Sequence, residues 1–306
     1  MLSTLPIEAP RALMERANGR PAALALVVGA DTSVAMQSAK SAVEAGLIVP
    51  ILIGDLTRMA ESADLIGWNI SGFQQIQGSG DAELADAAAR AVADPAVQVV
   101  MKGQIHTDAL MGAMLRKDAG VRTGQRMSHI FHMTVPGSQK PLLISDGALN
   151  VAPNEKTQHA ILENLVSLCH VIGIPHPKIA LLSATEEPMP SMPTSEEAAA
   201  LRDWALDQNF DAEIDGPFAF DNAVAPEAVR IKGMTGRPVA GHADALMVPA
   251  IETGNALFKM LVWFKSACAA GVVVGGRVPI IITSRADPPE ARLASAALAA
   301  LATEIA

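Results

Sequence analysis

The stretch VPIIITSRADPPEAR, Val278–Arg292, holds the reading of the fold. An apolar run, Ile280–Ile282, stops at Thr283-Ser284-Arg285, and Asp287, two prolines and Glu290 follow. A strand apolar on both alternating faces is covered on both sides, as in a parallel sheet packed between helices. Asp287-Pro288-Pro289-Glu290 reads as a helix start, with Asp287 as N-cap, Pro288 at the first helical position and Glu290 closing a capping box. The helix start accounts for Asp287, Pro288 and Glu290. It does not account for Ser284 and Arg285, a hydroxyl and a guanidinium at the tip of a buried strand, so these are the first candidates for chemistry.

The same strand–tip–helix unit recurs outward along the chain. Apolar runs at Leu24–Val28, Val49–Ile53, Val97–Met101, Leu142–Ser145, Ile179–Ser183, Ala245–Val248 and Ile280–Thr283 are predicted strands. Segments of helical period separate them. Ile161, Leu162, Leu165, Leu168, Cys169 and Ile172 form one apolar stripe. Thr194-Ser195-Glu196-Glu197 reads as a capping box, opening a helix with Ala198, Leu201 and Trp204 on one face. Strand and helix in alternation define an α/β fold with a largely parallel sheet. Around the Pro-Gly turn of HMTVPGSQKPLLISDG the spacing shortens to that of a hairpin, a natural place for one domain to pass to the next.

Length and composition bound the rest. At 306 residues two domains are expected. The net charge of -9 disfavours nucleic acid and anionic membrane as partners, though a small anion needs only a local positive cluster. Cys169 and Cys268 match no zinc spacing and read as free buried thiols of a reducing compartment. The N-terminus has no apolar run of signal-peptide length. Leu261–Ile282 is broken by Lys265, Arg277 and Pro279, which makes it a buried helix, a turn and a buried strand rather than a membrane span. The expectation is a soluble, cytoplasmic protein.

Ligands of open parallel sheets bind beyond the carboxyl ends of the strands, and polar residues cluster at those tips here. After Met101, Lys102-Gly103 combines an ammonium with close backbone approach, and His106 and Thr107 precede a helix. A helix cap by Thr107 beside a solvated lysine is the plain alternative. Thr253-Gly254-Asn255 reads as a helix start with free amides suited to an anion, or as a turn capped by Asn255. The helix it opens is apolar nearly all round, so it is expected to be buried, with Lys259 as the odd charge in its first turn. His129 and His132 lie three apart on a strand and face opposite ways, which disfavours a shared metal and suggests two satisfied structural histidines. No Gly-rich dinucleotide fingerprint, phosphate loop or serine nucleophile elbow is present.

With these loops in place, the chain resembles the phosphate acetyl/butyryltransferase family over almost its whole length. The matching pieces are MKGQIHTDALMGAML, SHIFHM, LLISDGALNVAPN, KIALLSATE, GPFAFDNAVAPEA, VAGHADALMVPAIETGNALFKML and VPIIITSRAD, in the family's order. The N-terminal stretch looks closer to the butyryl branch, since Gly29-Ala30-Asp31 stands where the acetyl branch has Pro-Glu-Gly.

The resemblance implies two three-layer α/β domains with a mostly parallel sheet each and a cleft between them, similar to isocitrate/isopropylmalate dehydrogenases. It implies a homodimer, with residues 1–136 and the returning C-terminal helix, 288–306, in the first domain and 137–287 in the second. It also implies reversible transfer of a short-chain acyl group, acetyl or butyryl, between coenzyme A and inorganic phosphate. The partners are then acyl-CoA or CoA and phosphate or acyl phosphate. No cofactor or metal is expected, coenzyme A being a substrate.

Ser284 and Arg285 are carried over as catalytic residues for the carbonyl oxygen and the phosphate. The acetyl branch places its acid where this sequence has Ala291, which leaves Asp287 as the nearest base and Glu290 as a weaker one. Lys102, His106, Thr107, Ser128, Asn255 and Lys259 are carried over as substrate-site residues, and Arg116 and Arg122 are candidate phosphate ligands. Two other functions are weighed against this. A metal-dependent decarboxylating dehydrogenase of similar fold needs converging aspartates and a nicotinamide site, and neither is evident. A non-catalytic acyl-CoA-sensing regulatory module has no need of Ser284 and Arg285.

Overall fold

The computed structural model describes residues 2–138, 140–284 and 286–306; Arg285 therefore lies outside the described residues. The chain runs α1 (Arg11–Asn18), β1 (Ala23–Val28), α2 (Ser33–Glu44), β2 (Ile48–Gly54), α3 (Leu56–Leu65), β3 (Gln74–Gln77), α4 (Gly80–Val92), β4 (Val99–Lys102) and α5 (Thr107–Met114). Next come β5 (Ser128–Thr134), β6 (Leu142–Ser145), α6 (Glu155–Val171), β7 (Lys178–Leu182), α7 (Pro193–Leu206) and β8 (Glu213–Phe218). Then follow α8 (Phe220–Val224), α9 (Pro226–Ile231), β9 (Ala245–Met247) and α10 (Ile251–Lys265). β10 (Cys268–Val274), β11 (Ile280–Ile281) and α11 (Pro289–Ala302) complete the order. Each apolar run read as a strand carries one.

The chain forms two compact units, one of Ile7–Gln125 with Ala270–Ala306, the other of Met1–Pro6 with Arg126–Ala269. In the first unit β3, β2, β1, β4 and β11 lie side by side in that order, all parallel, with β10 antiparallel beyond β11. β11 pairs with β4, Ile280 opposite Val100 and Ile281 opposite Met101. That pairing draws 270–287 into the first unit, whereas the sequence reading had assigned it to the second. Similarly, β5 pairs with β6 antiparallel, Met133 opposite Leu142, so the division falls before this hairpin at Arg126 and not inside it after 136.

α11 packs on α1, α2, β4 and β11. Its alanines, Ala291, Ala294, Ala297 and Ala299 among them, are buried and let the helix lie close against the sheet. In the second unit the order is β5, β6, β9, β7, β8, parallel from β6 onward. Its core gathers Phe131, Ile144, Ala180, Phe218 and Leu246.

α10 departs from expectation. Read as a buried helix, it leaves Trp263 60%, Phe264 50% and Met260 37% exposed, and buries only Gly254 and Leu261. All-round apolarity says that a helix is to be covered, not that its own core does the covering. Among the described residues no helix is long and apolar enough to cross a membrane.

Candidate active site

The sheet of the first unit changes direction between β1 and β4: the chain builds β2 and β3 on one side of β1, then crosses to place β4 on the other. At such a switch point the loops beyond the strands part and leave a crevice. Here Gly29 and Gly103 bring the two tips into backbone contact. A Cβ on Gly29, whose φ is +79°, would meet the Gln104 carbonyl at 2.6 Å. Gly103 N–H donates to Val28 O and Gln104 N–H to Gly29 O, both at 2.8 Å.

Beside this crossing lies a cavity of about 140 Å³. Lys102, Gly103, Thr283, Ser284 and Arg292 line it together with residues of the first turns of α2. Lys102, the last residue of β4, is buried, and its Nζ reaches Thr283 O at 3.4 Å. The N-terminus of α2, with Thr32 as N-cap accepting from the Ala35 amide at 3.4 Å, adds the positive end of a helix dipole to this ammonium.

Ser284 is exposed at the tip following β11. Its N–H donates to Asp287 Oδ2 at 2.7 Å, and its Oγ accepts from Ala286 N–H at 3.3 Å. This corrects the sequence reading of Asp287. The N-cap position of α11 is Pro288, no side chain caps the helix, and α11 begins at Pro289. Two successive prolines remove amides that a cap would have served, and the Asp287 carboxylate turns back to Ser284 instead. Burial pushes the Asp287 carboxyl above the ordinary carboxylate range, against the pull of the Ser284 amide, Arg292 and Lys102. An acid at 291 would fare worse, since Ala291 is 2% exposed inside α11.

Arg292 did not stand out in the sequence. Its Nη1 donates to Asp287 O at 2.5 Å, and its Nε is buried without a partner among the described residues. A signal was available, because a cation in the first turn of a helix opposes the dipole and calls for a local reason.

The structure brings Lys102, Ser284 and Asp287 together within the first unit. His106 is exposed, precedes α5 and bonds through Nδ1 to Asp81 Oδ2 at 2.5 Å. Thr107 is the first residue of α5 and does not cap it; His106 holds the N-cap position without a side-chain bond. Ser128, Asn255 and Lys259 belong to the other compact unit. Ser128 is fully buried and accepts from Asn164 Nδ2 at 2.9 Å.

Thr253-Gly254-Asn255 is not a helix start. α10 begins at Ile251 after Ala250, and the Thr253 N–H is bonded to Ala250 O at 3.1 Å. Gly254 is required for packing, since a Cβ there would meet Gly147 Cα at 2.7 Å. Lys259 consequently sits in the third turn, exposed. Arg116 is engaged by Asp86 and Asp118, and Arg122 is exposed beside a bridge to Gly276.

His129 and His132 are buried on β5, and burial drives each pKa down to about 4. Their Nδ1 atoms lack partners among the described residues, so they are less satisfied than expected. Among those residues no group of His, Cys, Asp and Glu is arranged to hold a metal ion.

Comparison with known proteins gives this geometry its class. The family model described as "Phosphate acetyl/butaryl transferase" matches residues 83–300. A phosphate acetyltransferase of Rhizobium meliloti is 40% identical over 299 residues, covering 94% of this chain and 92% of that protein. A phosphate butyryltransferase of Clostridium acetobutylicum is 35% identical over 279 residues, covering 91% and 92%. Among solved structures, a branched-chain phosphotransacylase from Enterococcus faecalis V583 superposes with a TM-score of 0.79 at 31% identity, covering 92% of this chain and 99% of that one. The chain belongs to the phosphate acetyl/butyryltransferase family and is an acyltransferase.

Proposed function

We propose that this enzyme moves a short-chain acyl group, acetyl or butyryl, reversibly between coenzyme A and inorganic phosphate. The observation that carries the reading is the convergence of Lys102, Ser284 and Arg292 on one switch-point cavity, with Asp287 bonded directly behind Ser284.

The coenzyme A thiol must lose its proton to become a nucleophile, and Asp287 takes it. The thiolate then forms the C–S bond to the acyl phosphate carbonyl. The Ser284 hydroxyl donates to the developing oxyanion. The C–O bond to phosphate breaks, the leaving phosphate carries off the electron pair, and Asp287 returns the proton to it. Lys102, Arg292 and Arg285 supply positive charge for the phosphate, the arginines in forked form. An acyl phosphate is already activated, so the step calls for no cofactor.

Phosphate- or arsenate-dependent loss of acyl-CoA, followed from acetyl to hexanoyl, tests this directly. Absence of turnover with every chain length would sink it. The dehydrogenase and sensor readings are not favoured by the family.

The finer architecture is part of the same proposal: two three-layer α/β units of the isocitrate/isopropylmalate dehydrogenase type. A homodimer is supported by the uncovered apolar side chains of α10, Trp263 and Phe264 foremost. A cytoplasmic location is supported by the buried thiol of Cys169.

A further inference from the structure

We propose that the cavity at the switch point is the acyl-chain pocket, and that Val34 and Ala35 of α2 set the chain length it accepts. This rests on the acyltransferase reading above and gives it a substrate class: acyl chains of about four carbons in preference to acetyl.

The cavity has two characters. Lys102, Ser284 and Arg292 supply charge and a hydroxyl. Val27 and Met101, register partners on β1 and β4 that share one face of the sheet, supply apolar surface together with Val34 and Ala35. The α2 hydroxyls are occupied within α2: Ser38 Oγ donates to Val34 O at 2.8 Å, and Thr32 Oγ1 accepts from Ala35 N–H. What remains there is mainly the apolar side chains of Val27, Val34, Ala35 and Met101, with Gln104 as a further polar lining residue. Those apolar side chains offer a phosphate nothing, and water beside them finds few partners. A substrate with a charged or carbonyl end and an apolar tail matches both characters, its carbonyl at Ser284 and its chain beneath α2.

Size narrows the class. A dry cavity of about 150 Å³ accepts the six carbons of benzene, so 140 Å³ shared between the carbonyl end and the chain leaves room for a chain of a few carbons, more than acetyl uses. Burying a methylene is worth about fourfold in binding, so butyryl, two methylenes longer, is expected to exceed acetyl by about sixteenfold in kcat/KM. Ala35 is 7% exposed and faces the cavity, while Val34, 49% exposed, stands at its mouth.

The test measures kcat/KM for acetyl-, propionyl-, butyryl- and valeryl-CoA with phosphate, on the wild-type chain, Ala35→Leu and Val34→Phe. The ratio of two substrates on one preparation cancels the folded fraction, so partial misfolding does not imitate a pocket effect. Val34→Phe, at an exposed position, provides a variant that keeps its core. The expected result is a butyryl-to-acetyl ratio lowered about tenfold or more by Ala35→Leu, and lowered in the same direction by Val34→Phe. Turnover by the wild type with both variants leaving the ratio unchanged overturns the pocket and spares the acyltransferase reading. A uniform loss across chain lengths with a raised KM for free CoA assigns the cavity to the CoA arm, and also overturns it. No wild-type turnover at all removes the underlying activity, and the pocket with it.

Discussion

Replacing Asp287 by Asn separates chemistry from architecture at the centre of the proposed site. The carboxylate accepts the Ser284 amide at 2.7 Å, and an asparagine carbonyl offers an acceptor at the same place. A hydrogen bond to a charged group exceeds a neutral one by about 1 kcal/mol, and that is the stability at risk. Burial acts in the opposite sense. The folded pKa of Asp287 lies above its ordinary value, so the native chain holds the proton more tightly than the unfolded chain. The stability this confers is present below the unfolded pKa and lost as pH rises through the folded one.

At neutral pH burial of the ionised carboxylate therefore offsets the weaker neutral hydrogen bond, and Asp287→Asn should match the wild type in stability to within about 1 kcal/mol. Turnover should behave otherwise. Loss of a positioned general base lowers kcat by about 10²–10⁴-fold. Thermal melts at pH 7 give the first quantity, and CoA-dependent consumption of butyryl phosphate from pH 5 to 9 gives the second. The wild-type rate should fall on the acid side as Asp287 protonates, and the variant should lack that limb. A folded variant within about threefold of wild-type kcat, or one destabilised by about 3 kcal/mol, would refute the reasoning: the first removes the base, the second makes Asp287 architectural.

Arg285→Ala should cost about 10²–10³ in kcat if its guanidinium faces developing charge, with an unchanged circular-dichroism spectrum; a small effect would move the phosphate to Lys102 and Arg292. Gly254→Ala drives a methyl into the Gly147 backbone and should destabilise by about 1–3 kcal/mol in urea titrations. If the proposed homodimer forms through α10, light scattering should give a dimer for the wild type and a monomer for Trp263→Glu combined with Phe264→Glu; a monomeric wild type would refute the dimer, and a persistent dimer would place the interface elsewhere. His129 and His132, with pKa values near about 4 when folded, leave the unfolded chain holding more protons below about pH 6.5. Stability should therefore be complete above that pH and fall as pH drops toward about 4, by up to about 1.4 kcal/mol per pH unit for each histidine. His132→Gln should flatten that slope by one proton.

The sheet was readable because a parallel strand covered on both sides must be apolar on both sides, and Leu24–Val28 or Ile179–Ser183 have no other plain reading. β3 escaped for the complementary reason: Gln74–Gln77 is an edge strand with three exposed glutamines and no apolar signal. The capping rules failed where a side chain found a tertiary partner. Thr194 lies within α7, which begins at Pro193 after Met192, and its Oγ1 meets Ser183 Oγ at 3.0 Å. Asp287 fails the rule locally instead, turning back to the Ser284 amide three residues before it. A capping pattern tests only the helix amides that follow, so it registers neither an upstream amide nor a hydroxyl supplied by another strand.

The site divides along the same line. Lys102 and Ser284 were legible because each is polar at the end of an apolar run, an anomaly visible in one dimension. Val34 and Ala35 were not, since in sequence they are an ordinary helix start following Thr32. Only the strand order, with β4 crossing to the far side of β1, brings that first turn over Met101 and beside Lys102. Chain-length selection is accordingly a property of topology. The charged half of the cavity stands at strand tips and marks itself by its chemistry, while the apolar half is built from residues that any α/β core would use.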